Sequence, residues 1–224
     1  MIRQASKGKC SFCNTAFSKV GMTNHLKSCK QRKAMSETSP EKRKSRRTKI
    51  FHLVVEGRDL LAYWMHLSAT ANTTLADLDD FLRDIWLECC GHLSAFTIEG
   101  TRYSVSPMRK YDERGMKVAL GDVLGPGMNF YHKYDFGTTT ELTLRVVSEL
   151  EGVNGKSIQL LARNDPPSIA CEACGKIAAQ VCAECIWSGK GWLCDECARE
   201  HECGEEMLLP VVNSPQVGMC GYIG

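Results

Sequence analysis

Residues 129–147, Asn129-Phe130-Tyr131-His132-Lys133-Tyr134-Asp135-Phe136-Gly137-Thr138-Thr139-Thr140-Glu141-Leu142-Thr143-Leu144-Arg145-Val146-Val147, decide the fold. Two runs rich in aromatic and β-branched residues, 129–134 and 138–147, flank Asp135-Phe136-Gly137, so the stretch reads as a β-hairpin with glycine at its turn. A second hairpin is expected where residues 94–98 and 101–105 flank Glu99-Gly100, and further strands over 50–55, 62–70 and 157–162. Between them, Thr74-Leu75-Ala76-Asp77 has the form of a capping box with an acid at the third helical position. Leu75, Leu78, Leu82, Ile85, Trp86 and Cys89 then recur at three- and four-residue steps, an amphipathic helix that Gly91 would end. Strands outnumber helices, and hairpins join neighbours. The expected fold class is therefore α+β: a largely antiparallel sheet with one main helix, in a body over residues 49–166.

Outside that body the composition changes. Among 224 residues the formal net charge is only +2, but residues 1–49 hold 14 Lys/Arg against two acids, Glu37 and Glu41. The remainder holds 14 Lys/Arg against 24 acids, so a cationic arm precedes an anionic body. No stretch approaches the roughly 18 to 20 apolar residues of a membrane span. Met1-Ile2-Arg3-Gln4 is not followed by the apolar run of a signal peptide, and an intracellular, cytoplasmic protein is expected.

The chain has 13 cysteines, and they are clustered. A reducing compartment keeps thiols free, which favours metal binding over disulfides, with zinc ahead of iron–sulfur. The first set is Cys10-x2-Cys13-x11-His25-x3-Cys29, with Phe17 and Met22 between as a small core. A turn presents two thiolates and a helix presents two donors four apart on one face, as tetrahedral zinc requires. It resembles a C2H2-class zinc finger with cysteine as the last ligand.

The second set is Cys171-x2-Cys174-x7-Cys182-x2-Cys185-x8-Cys194-x2-Cys197-x3-His201-x1-Cys203, followed by Cys220. That is nine donors for the eight places of two structural zincs, three Zn2+ per chain in all. The spacing is similar to that of cross-braced B-box and MYND-type fingers. That resemblance implies one ion on Cys171, Cys174, Cys194 and Cys197, and another on Cys182, Cys185, His201 and Cys203. The single residue between His201 and Cys203 is tight, so Cys220 competes for one of these places. The segment has little apolar mass beyond Trp187, Trp192 and a few aliphatics, so metal is expected to drive its folding.

Thr74-Leu75 opening a helix, Gly91-His92-Leu93-Ser94-Ala95-Phe96, and Tyr131 through Gly137 follow one another in an order that resembles the plasmid ORF-3-like domain family, over about residues 49–163. Members often carry tryptophan and histidine after the tyrosine-aspartate-phenylalanine-glycine turn, where this chain has Thr140 and Leu142. The resemblance implies an α+β fold and transfers no chemistry.

Residues 31–48 contain one large apolar residue and read as a flexible basic linker between a finger over 1–30 and the body, with the two-zinc module over 167–224. Lys19, Lys27, Lys30, Arg32, Lys33, Lys42, Arg43, Lys44, Arg46, Arg47 and Lys49 are the candidate phosphate contacts, giving salt-dependent, sequence-blind affinity. Asp135-Phe136-Gly137 has no glycine-rich loop or His-Arg-Asp partner and is a turn, not a kinase motif. Asp77, Asp79, Asp80 and Asp84 fit a solvated face in the first turns of a helix. Cys89-Cys90-Gly91-His92 fits helix-end packing better than a nucleophile and base. No catalytic motif is found, and no small-molecule substrate is indicated. The expectation is a non-catalytic zinc protein that grips nucleic acid, DNA or RNA, with its arm, while the acidic body and tail face a protein partner. The alternatives are a pure protein–protein adaptor, or an enzyme hidden in the central domain.

Overall fold

A computed structural model describes residues 6–38, 47–152 and 156–224. The elements are β1 (Lys7–Cys10), β2 (Ala16–Ser18), α1 (Lys19–Ser28), α2 (Lys30–Thr38), β3 (Thr48–Gly57), β4 (Trp64–Thr70), α3 (Leu75–Leu82), β5 (Ser94–Ile98), β6 (Thr101–Ser104) and β7 (Arg114–Gly115). Then come α4 (Leu120–Val123), β8 (Asn129–Tyr134), β9 (Thr140–Gly152), β10 (Ile158–Asn164), β11 (Gln180–Cys182), β12 (Trp192–Leu193), α5 (Asp195–Ala198) and β13 (Leu208–Pro210). Ten strands form one sheet in the order β2-β1-β10-β4-β3-β9-β8-β5-β6-β7, antiparallel except for β6–β7. The fold is the expected α+β class.

The hairpin of residues 129–147 is present as β8–β9, with Tyr134 opposite Thr140 and Asp135 at φ 57° in the turn. Along β9, Leu142, Leu144 and Val146 alternate inward and meet Leu75, Leu78, Leu82 and Trp86 of the α3 segment in the main core. Thr74 caps α3 as read: its hydroxyl accepts from Asp77 N–H (3.1 Å), and its own N–H donates to the Asp77 carboxylate (2.8 Å). Residues 94–98 and 101–104 pair across Glu99-Gly100.

The other face of the sheet is covered at one end by the N-terminal finger. β1 pairs with β10, and Met22 and Leu26 of α1 bury against Trp64, Leu161 and Ala162. The strand expected over 157–162 therefore extends to Asn164, because Arg163 and Asn164 pair with Lys9 and Gly8. Residues 62–63 belong not to β4 but to the preceding turn, where Tyr63 N–H donates to Leu60 O at 3.0 Å.

Three expectations need correction. Residues 31–38 are not an irregular linker: they lie in α2, where lysine, glutamine, arginine, alanine and methionine are strong helix formers, and Arg32 donates to Leu26 O at 2.9 Å across the α1–α2 junction. The linker's residues 39–46 lie outside the described residues. The main helix does not reach Cys89. It passes through a π-helical turn, Arg83–Leu87, and leaves the helix at Glu88, so Gly91 (φ 81°) serves the following loop. Asp79 is not on a solvated face, because its turn of the helix points at β8.

The C-terminal module has its own sheet, ordered β12-β11-β13. After it, residues 211–217 return to the body. Val217 and Val181 join the main core, and Ser214 donates its hydroxyl to Trp86 O at 2.6 Å.

Candidate metal centres

Four groups of cysteine and histidine donors are assembled among the described residues, each with its ligand atoms within 4.8 Å of one another. In a tetrahedral zinc site with bonds of about 2.3 Å to sulfur and about 2.0 Å to nitrogen, the edges measure about 3.8 Å between sulfurs and about 3.5 Å between sulfur and nitrogen. The separations match that size. All 13 cysteines are free.

The first group is Cys10, Cys13, His25 and Cys29. Cys10 ends β1, Cys13 follows in a turn with Asn14 at φ 58°, and α1 carries His25, with Cys29 at its C-cap. Cys10 and Cys29 sulfurs are 4.0 Å apart, and Cys13 Sγ is 3.2 Å from His25 Nε2. Phe17 stacks on the His25 ring (centroids 4.3 Å), fixing its orientation. The Thr15 hydroxyl and backbone N–H hold the Cys13 thiol down to about 6, so it is ready to bind as thiolate.

The second and third groups are Cys171, Cys174, Cys194, Cys197 and Cys182, Cys185, His201, Cys203. Alternate pairs come together, as the cross-braced resemblance implies. Cys174 and Cys194 sulfurs lie 3.6 Å apart. Cys185 Sγ lies 3.5 Å from His201 Nε2 and 3.6 Å from Cys203 Sγ. The backbone N–H of Cys194 holds the Cys171 thiol down to about 6. The tight His201-x1-Cys203 spacing works because the chain has already left α5 and turns before Gly204 (φ 84°). Trp187, expected among the scarce apolar residues of the interior, is 59% exposed.

Cys220 is not part of this module's sites. It lies against Cys89, Cys90 and His92, forming a fourth group. The helix-end reading of Cys89-Cys90-Gly91-His92 is corrected accordingly: these residues occupy a loop beyond the helix. Cys89, Cys90 and His92 lie together in the sequence, but no spacing ties them to Cys220, whose sign is that it exceeds the eight places of the tail.

Of the arm's candidate phosphate contacts, Lys27, Lys30, Lys33, Arg47 and Lys49 are exposed. Lys19 pairs with Glu56, Lys49 pairs with Glu149 (2.9 Å), and Arg32 donates to Leu26 O. Lys42, Arg43, Lys44 and Arg46 lie outside the described residues.

Beside the fourth group is a buried polar network. Asp79 accepts from His132 Nε2 (2.6 Å), Arg83 Nε (2.8 Å) and the Ser94 hydroxyl (2.8 Å). Burial works to raise the Asp79 pKa, but His132, Arg83 and Ser94 outweigh it and hold the carboxyl below its usual range. Arg83 also donates to His92 O at 2.5 Å and pairs with Glu88 at 2.6 Å, fixing both ends of the loop that carries Cys89, Cys90 and His92.

No family model matches the chain, and no curated protein matches it. Among solved structures, the chain is similar to a protein of unknown function from Methanosarcina mazei Go1, at 17% identity and TM-score 0.45, covering 58% of this chain and 75% of that one.

Proposed function

We propose that this is a non-catalytic, intracellular zinc protein that associates with nucleic acid through its N-terminal finger and the basic segment behind it, while the acidic body and C-terminal module engage a protein partner. The observation that carries the reading is the segregation of charge: 14 Lys/Arg in residues 1–49, with Lys27 exposed on the finger's helix and Lys30 exposed at the start of α2. Zinc is the ion that fits, since every group offers thiolates with at most one imidazole at tetrahedral-edge separations. Four protein donors per ion leave no open position, the pattern of structural rather than catalytic zinc. The central domain is read as ORF-3-like, a scaffold that holds the two metal-bearing ends.

The test is fluorescence anisotropy of the full chain on generic duplex DNA and structured RNA at two salt concentrations. Each phosphate neutralised contributes about −0.9 to the log–log salt slope on duplex DNA, so replacing Arg43, Lys44, Arg46 and Arg47 by glutamine should flatten it by up to about 3 to 4. An unchanged slope and affinity would sink the reading.

A second reading, the adaptor, is favoured by the exposed Trp187 and Ile177 (72% exposed) on an acidic module. It predicts that substituting Cys194 and Cys197 abolishes partner retention and leaves nucleic-acid affinity intact.

A further inference from the structure

Cys220 reaches its neighbours by a strap, residues 213–217, that is fastened to the body along its length. Asn164 Nδ2 donates to Asn213 Oδ1 (2.7 Å), and Asn213 Nδ2 returns a bond to Asn164 O (2.9 Å). Gln216 accepts from the Thr140 hydroxyl, and Val217 is buried in the main core. The chain then turns through Gly218 (φ 76°), where a Cβ would fall 2.5 Å from Ile186 Cδ1, and holds Cys220 at φ 47°. The left-handed region is disfavoured for a non-glycine residue, a strain held by the surrounding structure. Its effect is to aim Sγ at 3.1 Å from His92 Nε2 and 3.7 Å from Cys90 Sγ.

The opposing loop is equally committed. Glu88 accepts from Gly91 N–H at 2.5 Å and pairs with Arg83, while Cys89 N–H donates to Tyr134 Oη at 3.3 Å. Cys89 and Cys90 sulfurs are 3.7 Å apart, and Cys90 Sγ is 3.0 Å from His92 Nε2. Both sulfur–sulfur distances are close to the edge of a zinc tetrahedron of about 3.8 Å. Asp135 lies 3.5 Å from the same His92 nitrogen, but its oxygens are occupied by Gly137 N–H and the Thr138 hydroxyl.

We propose that Cys89, Cys90, His92 and Cys220 bind a fourth zinc ion, which clasps the C-terminal strap to the body. On binding, the three thiols release their protons to solvent and the imidazole binds neutral. Cys90 and Cys220 are exposed, whereas each of the other three groups has at least one buried cysteine. The fourth ion is therefore the first to exchange. The proposal does not depend on the nucleic-acid reading and is tested without nucleic acid.

The experiment measures zinc per chain by mass spectrometry on the zinc-loaded full chain, with release followed by a chromogenic chelator. Wild type should hold four equivalents, one leaving ahead of the other three. Cys220→Ser and His92→Gln should each hold three and lack the early phase. After that first loss, limited proteolysis should cut within residues 211–224 of the wild type. Cobalt titration of the wild type gives an answer even where a variant misfolds, since four equivalents must develop thiolate–cobalt absorption. Three equivalents in the wild type, by zinc and by cobalt, would overturn the proposal. So would a Cys90–Cys220 disulfide in the protein purified under reducing conditions.

Discussion

The N-terminal finger and the C-terminal module use the same kinds of ligand but stand differently on the body. The finger's hairpin is a continuation of the main sheet, and Trp64, Leu161 and Ala162 supply the floor on which Met22 and Leu26 pack. The C-terminal module has, away from its contact with the body, a buried cluster of Cys171, Leu193, Cys194 and Ala198, half of which are ligands themselves. In the first region candidate ligands and an apolar floor share the interior. In the second, candidate ligands are half of the interior.

The difference can be broken most forcefully at Cys194. Cys194→Ser should cost both ions of the module and make residues 168–210 protease-sensitive, because cross-braced sites hold the same short chain and a structural zinc is worth about 10 to 16 kcal/mol. Cys13→Ser should cost one ion and leave the β1–β10 pairing in place. Equal losses in the two variants, read by metal analysis and proteolysis, would erase the distinction.

Next in size is the finger's apolar floor. Trp64 is buried and donates its indole N–H to Ser6 Oγ at 2.7 Å. Trp64→Ala should destabilise the chain by about 3 to 5 kcal/mol in denaturant unfolding while zinc stoichiometry stays unchanged. Loss of the finger's zinc instead would show that the metal, not the floor, depends on this contact.

The body provides an internal standard. Asp79→Asn leaves His132 and Arg83 facing a neutral group in a buried site and should cost about 3 kcal/mol in thermal or denaturant melts.

The smallest effect concerns His52 and His66, buried on the finger's side of the sheet with Nε2 and Nδ1 2.9 Å apart. Burial holds their pKa values down to about 3 and about 4, against 6.5 ordinarily. Below pH 6.5 the unfolded chain takes up protons that the folded chain refuses. Stability should therefore fall on acidification from pH 6.5 to 5.5, by about 1 kcal/mol for each imidazole. Unfolding of the zinc-saturated protein between pH 6.5 and 5.5 checks this, and a His52→Gln/His66→Gln double variant should show a flatter profile.

What could be read from the sequence was local. The β8–β9 hairpin, the Thr74–Asp77 capping box and the Leu75–Trp86 stripe are written within a few residues of one another, as are the finger's donors and the paired cysteines of the tail. Composition misled at residues 31–38, because the absence of an apolar face argues against a core but not against a second helix opening after the extended Cys29. Asp79 looked like its neighbours until the helix was set against β8, where His132 meets it. The group at Cys89, Cys90, His92 and Cys220 was illegible for the same reason: sheet topology and the strap, not spacing, bring its halves together. The finger's donors were legible, but its attachment was not, since β1 and β10 lie at opposite ends of the body's sequence.

That attachment has a consequence for solubility. β1 shields the outer hydrogen-bonding groups of β10 at Ala162–Asn164, and its fit is close enough that a Cβ on Gly8 would fall 2.2 Å from Arg163 O. A chain that lost this hairpin would bare the Ala162–Asn164 edge of β10 on a large sheet, a short template on which a second copy can add its own strand. Starved of metal, or carrying a side chain at position 8, the protein should fail by self-association before its core melts.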